Sequence, residues 1–326
     1  MKAAMRERYG GLEVVELRDV AKPRPVDDQV LVKVRAASVN RADLDGIAPR
    51  PQFVRLFMGL RAPREHRLGI DVAGVVEAVG PNAGRFKPGD GVFADLFSFG
   101  AGSFAEYVCA PERAFLPIPV GLTFDEAATL PHSAVLAVQG LRLRGGRTIQ
   151  RGDRVLIDGA SGNVGPFAIQ IAKALGAEVT GVARTGKLDF VSSLGADHVV
   201  DFTTTDYTLT GERYDWIVDT DSHHSLFAVR RALRPGGVYV TLGGTSWPIV
   251  AAMLVAPFLS WASAKRLGLL LWWKPFNQPD VERVTDLIAS GAVRTVIDRR
   301  FPLEQVVDAL RWVDEGHARG KVVIIP

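Results

Sequence analysis

A glycine-rich turn between an apolar strand and a helix is the sharpest chemical signal in the sequence. Residues 158–165 read DGASGNVG and directly follow the apolar run of residues 155–157. Ala160 permits the tight turn, Gly162 lets a pyrophosphate approach the backbone, and Gly165 lets the helix pack closely on the strand. The start of the helix offers free N–H groups to phosphates, so we predict a bound dinucleotide here rather than a purely structural bend. The predicted contacts are Ala160, Ser161, Gly162, Asn163, Val164 and Gly165.

The residues after the next strand distinguish between the two nicotinamide cofactors. NAD enzymes usually carry an acidic residue there, which holds the ribose hydroxyls. This chain has Arg184, Thr185 and Lys187 instead. A carboxylate would repel a 2′-phosphate, whereas a guanidinium attracts it and can bond it in a forked geometry. We therefore predict NADPH as the cofactor, and the alternative that Arg184 and Lys187 only begin a solvated helix stays open.

The elements around the turn follow an alternating pattern. Between residues 154 and 242, apolar strands alternate with segments of helical spacing, which predicts a parallel sheet covered by helices on both faces. The preceding part is rich in short strands, such as residues 30–34 and 71–79, with turns marked by Gly and Pro. The pattern of short strands gives way to a predicted helix at Thr123, which with Glu126 has the spacing of a capping box. The predicted fold class is α/β, with a β-rich part and a doubly wound parallel sheet.

Length, composition and charge exclude several classes of protein. The 326 residues suit two domains, and 47% hydrophobic with 23% charged residues is normal for a globular protein. The formal net charge of +3 is small and spread along the chain, so it predicts no nucleic-acid partner. The single cysteine, Cys109, can form neither an internal disulfide nor a four-cysteine zinc site. Because the N-terminal residues also lack the apolar run of a signal peptide, we predict a cytoplasmic protein.

An apolar and aromatic segment follows the last strand of the alternating pattern. Residues 245–276 include Trp247, Phe258, Trp261, Trp272 and Trp273. Two prolines and a Lys-Arg pair interrupt the run, which argues against a transmembrane span of about 20 apolar residues. An apolar patch of this kind has to be covered. We predict helices that wall an apolar substrate pocket and help to cover a homodimer contact, and a peripheral membrane contact stays open.

Short motifs in a fixed order run through nearly the whole chain. Besides the glycine turn they are residues 37–43 (ASVNRAD), 69–80 (GIDVAGVVEAVG), 85–90 (RFKPGD), 102–107 (GSFAEY), 127–131 (AATLP) and 194–197 (LGAD). By these motifs the chain resembles the medium-chain dehydrogenase/reductase superfamily, in its zinc-free quinone oxidoreductase (zeta-crystallin-like) branch. The resemblance implies a GroES-like catalytic domain with a Rossmann domain inserted in it and the active site in the cleft. The implied boundaries are 1–124 for the first catalytic part, 125–265 for the Rossmann NADP-binding domain and 266–326 for the second catalytic part.

The resemblance also implies roles for individual residues. Asn40 would be the catalytic residue, beside the nicotinamide ribose and the substrate, and Gly243 and Gly244 would lie along the nicotinamide. Phe202, near the adenosine phosphate, and the pair Asp219 and Thr220 complete the implied cofactor contacts. The chain departs from the pattern of the branch in three places. They are Leu136 and Phe202, where the branch often has Thr and Tyr, and residues 220–224 (TDSHH), where it has a small glycine turn.

Zinc-dependent relatives carry ligands that this chain lacks. They have a Cys where the chain has Val39-Asn40, and Gly-His-Glu where it has Gly69-Ile70-Asp71. A catalytic zinc needs three protein ligands, and a lone His66 nearby does not supply them. We therefore predict a metal-independent protein without metal ligands. Without a Lewis acid nothing stabilises the alkoxide of a simple alcohol. A conjugated carbonyl is easier to reduce, because the charge of the added hydride spreads over the enolate or quinol.

The predicted function is therefore hydride transfer from NADPH to a small hydrophobic quinone or α,β-unsaturated carbonyl (enone), often by a homodimer in this branch. Two alternatives stay open. The first is a double-bond reductase of alkenals or alkenones, and the second is a non-catalytic NADPH-binding sensor or assembly protein. The proton donor also stays open: His132, His223 and His224 could each donate a proton near neutral pH, or each could be a surface or packing residue.

Overall fold

A computed structural model describes residues 1–49, 52, 55–143, 146–244, 246–261, 264–270 and 274–326. The described strands are β1 (Lys2–Met5), β2 (Glu16–Asp19), β3 (Gln29–Val39), β4 (Asp71–Val79), β5 (Gly91–Asp95), β6 (Tyr107–Pro111), β7 (Leu116–Pro117), β8 (Arg154–Asp158), β9 (Glu178–Ala183), β10 (His198–Asp201), β11 (Tyr214–Asp219), β12 (Leu233–Thr241), β13 (Arg266–Leu269), β14 (Ile297–Pro302) and β15 (Lys321–Ile325). The described α-helices are α1 (Arg41–Ile47), α2 (Arg55–Met58), α3 (Phe124–Ala128), α4 (Ser133–Gly140), α5 (Gly165–Ala174), α6 (Leu188–Ser193), α7 (Leu226–Arg231), α8 (Ser246–Leu254), α9 (Ala256–Trp261), α10 (Gln278–Ala289) and α11 (Val306–Asp314). Short 3-10 turns occur at Leu12–Val14, Glu112–Ala114, Thr185–Lys187 and Leu303–Gln305.

The chain divides into two compact units. The first unit contains Met1–Ser133, Pro275–Val281 and Ile297–Pro326, and the second contains Ala134–Lys274 and Glu282–Val296. The sequence-based boundaries after residues 124 and 265 differ from these. One difference concerns β13, which follows residue 265 and pairs in parallel with β12, so that the sheet of the second unit extends past that boundary. Another is the segment Glu282–Val296, which also belongs to the second unit.

The first unit is built on a mixed sheet. Its strands lie in the order β14-β15-β3-β4-β5-β7, with β6 also paired to β3. The long strand β3 is buried along most of its length, because it pairs antiparallel with β4 on one side and with β15 and β6 on the other. Gly74 permits the close approach of β4 to β3, since a Cβ there would lie 2.2 Å from the carbonyl oxygen of Lys33. This sheet brings the ends of β3, β4 and β15 together.

The second unit is built on a parallel sheet. Its strands lie in the order β10-β9-β8-β11-β12-β13, and neighbouring strands pair in parallel throughout the described residues. This order is the doubly wound one, in which the chain leaves β8 first in one direction and then, from β11, in the other. The predicted parallel sheet between residues 154 and 242 is confirmed, and so is the α/β class. A ligand site is expected at the carboxyl ends of β8 and β11, where the strand order reverses.

The segment 245–276 contains the predicted helices and one unpredicted strand. Helices α8 and α9 account for most of it, and β13 then adds an edge strand to the sheet. A four-residue apolar run such as that of β13 cannot be assigned to a strand from its pattern alone. Trp272 and Trp273, and the side chain of Trp247, lie outside the described residues. No helix in the described part of the chain is long and apolar enough to cross a membrane.

Candidate functional site

The glycine turn has the geometry that a pyrophosphate needs. Helix α5 begins at Gly165, and its N-cap residue Val164 makes no side-chain hydrogen bond to the first N–H groups. A Cβ at Gly165 would lie 2.4 Å from the carbonyl oxygen of Ala160, so only glycine permits this packing of helix on strand. A Cβ at Gly162 would meet only the carbonyl oxygen of Gly159, at 3.4 Å, and therefore faces nearly open space. These residues fit a dinucleotide, because the open side of the turn exposes backbone to the phosphates.

The end of β9 carries the residues predicted to bind the adenosine phosphate. Arg184 and Thr185 are exposed, Lys187 is buried and Phe202 is 46% exposed. The Thr185 hydroxyl donates to Oδ2 of Asp201 at 2.6 Å. Asp201 ends the neighbouring strand β10, and the sequence analysis missed it because it looked for an acid only after β9. The region therefore holds a cationic side chain beside a carboxylate.

The loop after β11 forms a polar cluster at the carboxyl edge of the parallel sheet. Asp219 is fully buried, and its Oδ2 accepts a hydrogen bond from the Tyr239 hydroxyl at 2.9 Å, while its Oδ1 accepts from the backbone of Asp221 at 3.1 Å. Burial raises the pKa of Asp219, although the hydrogen bond from Tyr239 opposes the rise. The Thr220 hydroxyl donates to the backbone oxygen of Asp158 at 3.0 Å. Both side chains thus hold the loop, and their predicted cofactor contacts remain predictions.

Gly243 and Gly244 lie where the loop after β12 meets the loop after β11. The backbone N–H of Ser222 donates to the carbonyl of Gly243 at 3.2 Å. Gly244 has a φ of 132°, and a Cβ there would lie 2.3 Å from the backbone nitrogen of Ser222. A side chain at 244 is therefore excluded on both conformational and steric grounds. Close backbone packing explains this glycine without a cofactor, so its predicted contact with the nicotinamide remains a prediction.

Asn40 lies at the centre of a buried polar network in the first unit. It is 1% exposed, at the end of β3 and immediately before α1. Its Oδ1 accepts from Nζ of Lys321 at 2.6 Å and from the hydroxyl of Ser133 at 3.0 Å. Its Nδ2 donates to Oδ2 of Asp71 at 2.8 Å and to the carbonyl of Ser38 at 3.3 Å. Both ends of the Asn40 amide are thus engaged within the protein.

The ammonium group of Lys321 lies inside this network. It is 1% exposed, and besides Asn40 it contacts the hydroxyl of Ser133 at 3.0 Å, the carbonyl of Val39 at 3.4 Å and Oδ2 of Asp71 at 3.4 Å. Burial lowers the pKa of Lys321 and raises that of Asp71, and their mutual attraction opposes both shifts. A metal cation placed among these donors would meet a like charge at close range. The donor set therefore fits an ammonium ion better than a zinc ion. By the resemblance described above, zinc-dependent relatives carry a Cys and a His at these positions.

His132 and Asp95 form a second buried pair beside this network. Nδ1 of His132 lies 2.9 Å from Oδ2 of Asp95, and the backbone N–H of His132 donates to Oδ1 of Asp71 at 3.1 Å. Burial alone would lower the pKa of His132, but the charge and hydrogen bond of Asp95, together with Asp71, outweigh it and raise the pKa. His132 is 8% exposed, and its ring lies 6.3 Å from that of Phe97, which is 51% exposed. An imidazole with this partner can hold a proton near neutral pH.

Asp43 adds a further acidic group to the same region. Its Oδ2 accepts from the backbone N–H of Asn40 at 2.8 Å and so caps the start of α1. Burial raises the pKa of Asp43 to about 7. The sequence analysis named Asn40 but missed Lys321, Ser133, Asp95 and Asp43. One signal was available, since a lysine directly before the apolar run of the last strand stands where its side chain can be buried.

Comparisons with known proteins agree with this geometry. Residues 26–120 match the family model described as alcohol dehydrogenase GroES-like domain, and residues 194–324 match the one described as zinc-binding dehydrogenase. The chain is 33% identical to a chloroplastic quinone-oxidoreductase homolog of Spinacia oleracea, over 97% of this chain and 95% of the relative. It is 31% identical to the chloroplastic NADPH-dependent alkenal/one oxidoreductase of Arabidopsis thaliana, over 100% of this chain and 80% of the relative. The structure of the quinone oxidoreductase from Coxiella burnetii superposes with a TM-score of 0.87 at 28% identity, covering 100% of this chain and 99% of that one.

Proposed function

The chain belongs to the medium-chain dehydrogenase/reductase superfamily, in its zinc-free quinone oxidoreductase branch, and on that basis we propose that it transfers a hydride from NADPH to a small hydrophobic quinone or α,β-unsaturated carbonyl. The predicted GroES-like domain is confirmed by the family match over residues 26–120. The chain is an NAD(P)-dependent oxidoreductase of this superfamily. The single observation that carries the proposal is the buried Lys321 ammonium, which donates a hydrogen bond to Oδ1 of Asn40.

The preference for NADPH rests on charge. Arg184 is exposed at the end of β9, where a carboxylate would serve NADH. Asp201 lies nearby, but its Oδ2 is engaged by the Thr185 hydroxyl and its Oδ1 by the hydroxyl of Thr203. We propose that Arg184 binds the 2′-phosphate and that Thr185 keeps Asp201 turned away from it. Lys187 is buried, so we propose that it contributes positive electrostatic potential at the 2′-phosphate rather than a direct contact.

The absence of zinc ligands selects the class of substrate. A simple alcohol or ketone needs a Lewis acid to stabilise charge on oxygen, and the Asn40 network offers an ammonium ion in a fully hydrogen-bonded setting instead. A conjugated acceptor spreads the incoming negative charge over several atoms and so needs less electrostatic stabilisation at its oxygen. Bound NADPH supplies the hydride in this reaction. The protein has to orient the acceptor, exclude water and deliver one proton.

Asn40 is proposed to position this region. Its Oδ1 and Nδ2 both bond protein groups, so direct contact with the nicotinamide ribose or the substrate requires one of these bonds to be exchanged when ligands bind. Lys321 and Ser133 hold Oδ1 from two different elements, and Asp71 holds Nδ2. The amide therefore has a fixed orientation before any ligand arrives, which lowers the cost of ordering the site.

His132 is the proposed proton donor. In the reduction of an enone, the hydride forms a C–H bond at the β-carbon and the π electrons move to the carbonyl oxygen as an enolate. The imidazolium of His132 then gives its proton to the α-carbon, the neutral imidazole stays hydrogen-bonded to Asp95, and solvent restores the proton. For a quinone the same proton goes to the quinol oxygen. This arrangement suits both acceptors and so leaves the double-bond reductase alternative open.

Isotope labelling tests the proposed reaction. NADPH that carries deuterium at the transferred position should label an enone product with one deuterium at the β-carbon, as measured by mass spectrometry and NMR. The same reaction in D2O with unlabelled NADPH should place one deuterium at the α-carbon. Deuterium from NADPH at the carbonyl carbon would show simple carbonyl reduction and would contradict the proposal.

The segment 245–276 supports a homodimer and a hydrophobic substrate. Leu254, Phe258 and Trp261 are 65%, 73% and 90% exposed in the single chain. Strand β13 is the edge of the sheet in the described part of the chain, and an edge strand can pair with a second copy. We propose that a second subunit covers this face. A nearby hollow of about 570 Å³, lined in part by Pro257, Trp261 and Leu267, could take an apolar group.

Sedimentation measurements test the proposed dimer. The unmodified protein should sediment as a dimer, and the double variant Phe258→Glu/Trp261→Glu should sediment as a monomer with an unchanged circular dichroism spectrum. A wild-type monomer that binds neutral or anionic lipid vesicles would favour the membrane alternative instead. We propose a cytoplasmic location from the single cysteine of the sequence, because disulfides are rare in that compartment.

A further inference from the structure

Three side chains with metal-binding atoms converge at the carboxyl edge of the parallel sheet. Asp158 is the last residue of β8, and His223 and His224 lie in the loop after β11. These strands are neighbours in the sheet, with Asp158 opposite Asp219. One ligand atom from each of Asp158, His223 and His224 can be chosen so that all three lie within 4.8 Å of one another. The three residues therefore surround one small volume.

The side chain of Asp158 has a buried oxygen that lacks a hydrogen-bond partner among the described residues. Asp158 is only 3% exposed, and its Oδ2 makes no hydrogen bond with any residue that the structure describes. A buried carboxylate oxygen without a partner costs free energy, since it has lost its water and gained nothing in return. Asp158 ends its strand beside Gly159, where the proposed function requires only a small turn. Neither the turn nor the hydride transfer explains an acidic residue at this position.

The two histidines are held in orientations that suit metal binding. Nδ1 of His223 lies 2.5 Å from the carbonyl of Asp221, so a proton on Nδ1 leaves the lone pair of Nε2 for a ligand. His224 packs edge-on against the ring of Tyr207, with ring centres 4.9 Å apart, and its Nδ1 lies 3.9 Å from Oδ1 of Asp206. Metal-binding histidines commonly have a carbonyl or carboxylate partner on the second ring nitrogen, as His223 has in the carbonyl of Asp221. The 3.9 Å separation between His224 and Asp206 is too long for a hydrogen bond.

We propose that Asp158, His223 and His224 bind a divalent transition metal ion of the zinc class. Two imidazoles and one carboxylate match the ligand set that such ions prefer, whereas calcium and magnesium prefer oxygen ligands alone. Bonds of about 2.0–2.2 Å in a tetrahedral site place ligand atoms about 3.4 Å apart. Since the ligand atoms lie within 4.8 Å of one another, they need to approach by up to about 1.4 Å. Water would complete the coordination.

The site has a structural role that follows from its position. Residues 220–224 have the polar sequence TDSHH, and His223 is exposed. A metal ion would tie this loop to the end of β8, beside the glycine-rich turn. The position differs from that of the catalytic zinc in relatives, which corresponds to Asn40 and Asp71 in the first unit. The inference therefore does not depend on the proposed hydride transfer.

Cobalt titration tests the site directly. Tag-free protein, stripped of metal by a chelator, is titrated with Co²⁺ while the visible absorption of tetrahedral cobalt is recorded, and Zn²⁺ is then added as a competitor. We expect one equivalent of Co²⁺ to bind and one equivalent of Zn²⁺ to displace it. His223→Gln and His224→Gln should each weaken binding at least tenfold, because the loss of an outer partner alone already costs tenfold to a hundredfold. Asp158→Asn should weaken it similarly.

One control variant and two contrary outcomes complete the cobalt experiment. His198→Gln changes a histidine that pairs with Glu178 at 2.9 Å, away from the site, and should leave cobalt binding unchanged. Because His223 is exposed, its variant should fold normally, which the thermal midpoint of the metal-free protein will show. Binding that the three variants do not affect would mean an adventitious ion only and would overturn the proposal. Less than half an equivalent of tetrahedral cobalt, with or without saturating NADPH, would also overturn it.

Discussion

Nζ of Lys321 lies 2.6 Å from Oδ1 of Asn40, although 281 positions separate the two residues in the sequence. The contact joins the first residue of the last strand to the residue that follows β3, and both side chains are 1% exposed. A buried ammonium ion is costly unless its hydrogen bonds are satisfied, and here Asn40, Ser133 and Asp71 satisfy them. The pair therefore organises the region that corresponds, by resemblance, to the zinc site of the zinc-dependent relatives.

The variant Lys321→Met should destabilise the protein strongly. It leaves the carboxylate of Asp71 buried without its cation, which typically costs about 3–5 kcal/mol of unfolding free energy. The double variant Lys321→Met/Asp71→Asn should recover much of that loss, because it removes both charges of the Lys321–Asp71 pair. Urea unfolding at pH 7 measures both. A single variant as stable as the wild type would contradict the buried ion pair.

His132 should give the reaction a characteristic dependence on pH. Because the pKa of His132 is raised, mainly through Asp95, the imidazolium is the acid at low pH, and kcat should fall as the pH rises through that raised pKa. Asp71 supports the imidazolium and Lys321 opposes it. The variant His132→Gln should lower kcat about 10²- to 10⁴-fold and remove this dependence. His317→Gln, an exposed histidine elsewhere, is the matched control, and an unchanged pH profile in His132→Gln would rule out the proposed donor.

Arg184→Glu should reverse the cofactor preference. Losing a charge-assisted hydrogen bond costs about 1.5–3 kcal/mol, or roughly 10- to 150-fold in NADPH affinity, and the new carboxylate repels the 2′-phosphate as well. The affinity for NADH should stay constant or improve. Fluorescence titration with both cofactors measures the change, and Arg213→Glu is the control at another exposed arginine. Equal binding of NADPH and NADH by the unmodified protein would end the proposal of NADPH specificity.

Two alanine substitutions in the glycine turn should affect different properties, one the affinity for the cofactor and the other the thermal stability. A Cβ at position 162 meets only one atom, at 3.4 Å, so Gly162→Ala should keep the thermal midpoint but weaken cofactor binding by blocking the phosphates. A Cβ at position 165 would lie 2.4 Å from the carbonyl of Ala160, so Gly165→Ala should lower the thermal midpoint. Unaffected NADPH binding in a stable Gly162→Ala protein would place the pyrophosphate elsewhere.

Local requirements of the backbone made much of the fold predictable. The glycine turn, the capping box at Thr123 and the alternating apolar runs each act over a few residues, and the structure has the capping hydrogen bond from the backbone of Glu126 to Thr123. The parallel sheet followed from those runs. Strand β13 did not, because a four-residue run acquires its conformation from pairing with β12.

Long-range contacts explain what the sequence could not show. Nothing near Asn40 in the sequence indicates that Lys321 reaches it, and nothing near Asp158 indicates that His223 and His224 lie within 4.8 Å of its ligand atoms. Such contacts depend on how strands pair, which local patterns do not encode. The residues that distinguish this chain chemically are therefore those that sequence reasoning weighed least, such as His132.

Turnover by metal-free protein tests the central claim most directly. Tag-free, chelator-treated protein is mixed with NADPH and a panel of quinones, enones, simple ketones and simple alcohols, and oxidation of the reduced nicotinamide is followed by absorbance. We predict steady consumption of NADPH with at least one hydrophobic quinone or enone, no turnover of the simple ketones, no reduction of NADP⁺ by the alcohols, and rates that do not change when zinc is restored. Tight binding of NADPH without consumption across the whole panel would contradict this and favour a sensor or assembly protein. Turnover that appears only after zinc is added, in the His223→Gln variant as well as in the unmodified protein, would equally contradict it.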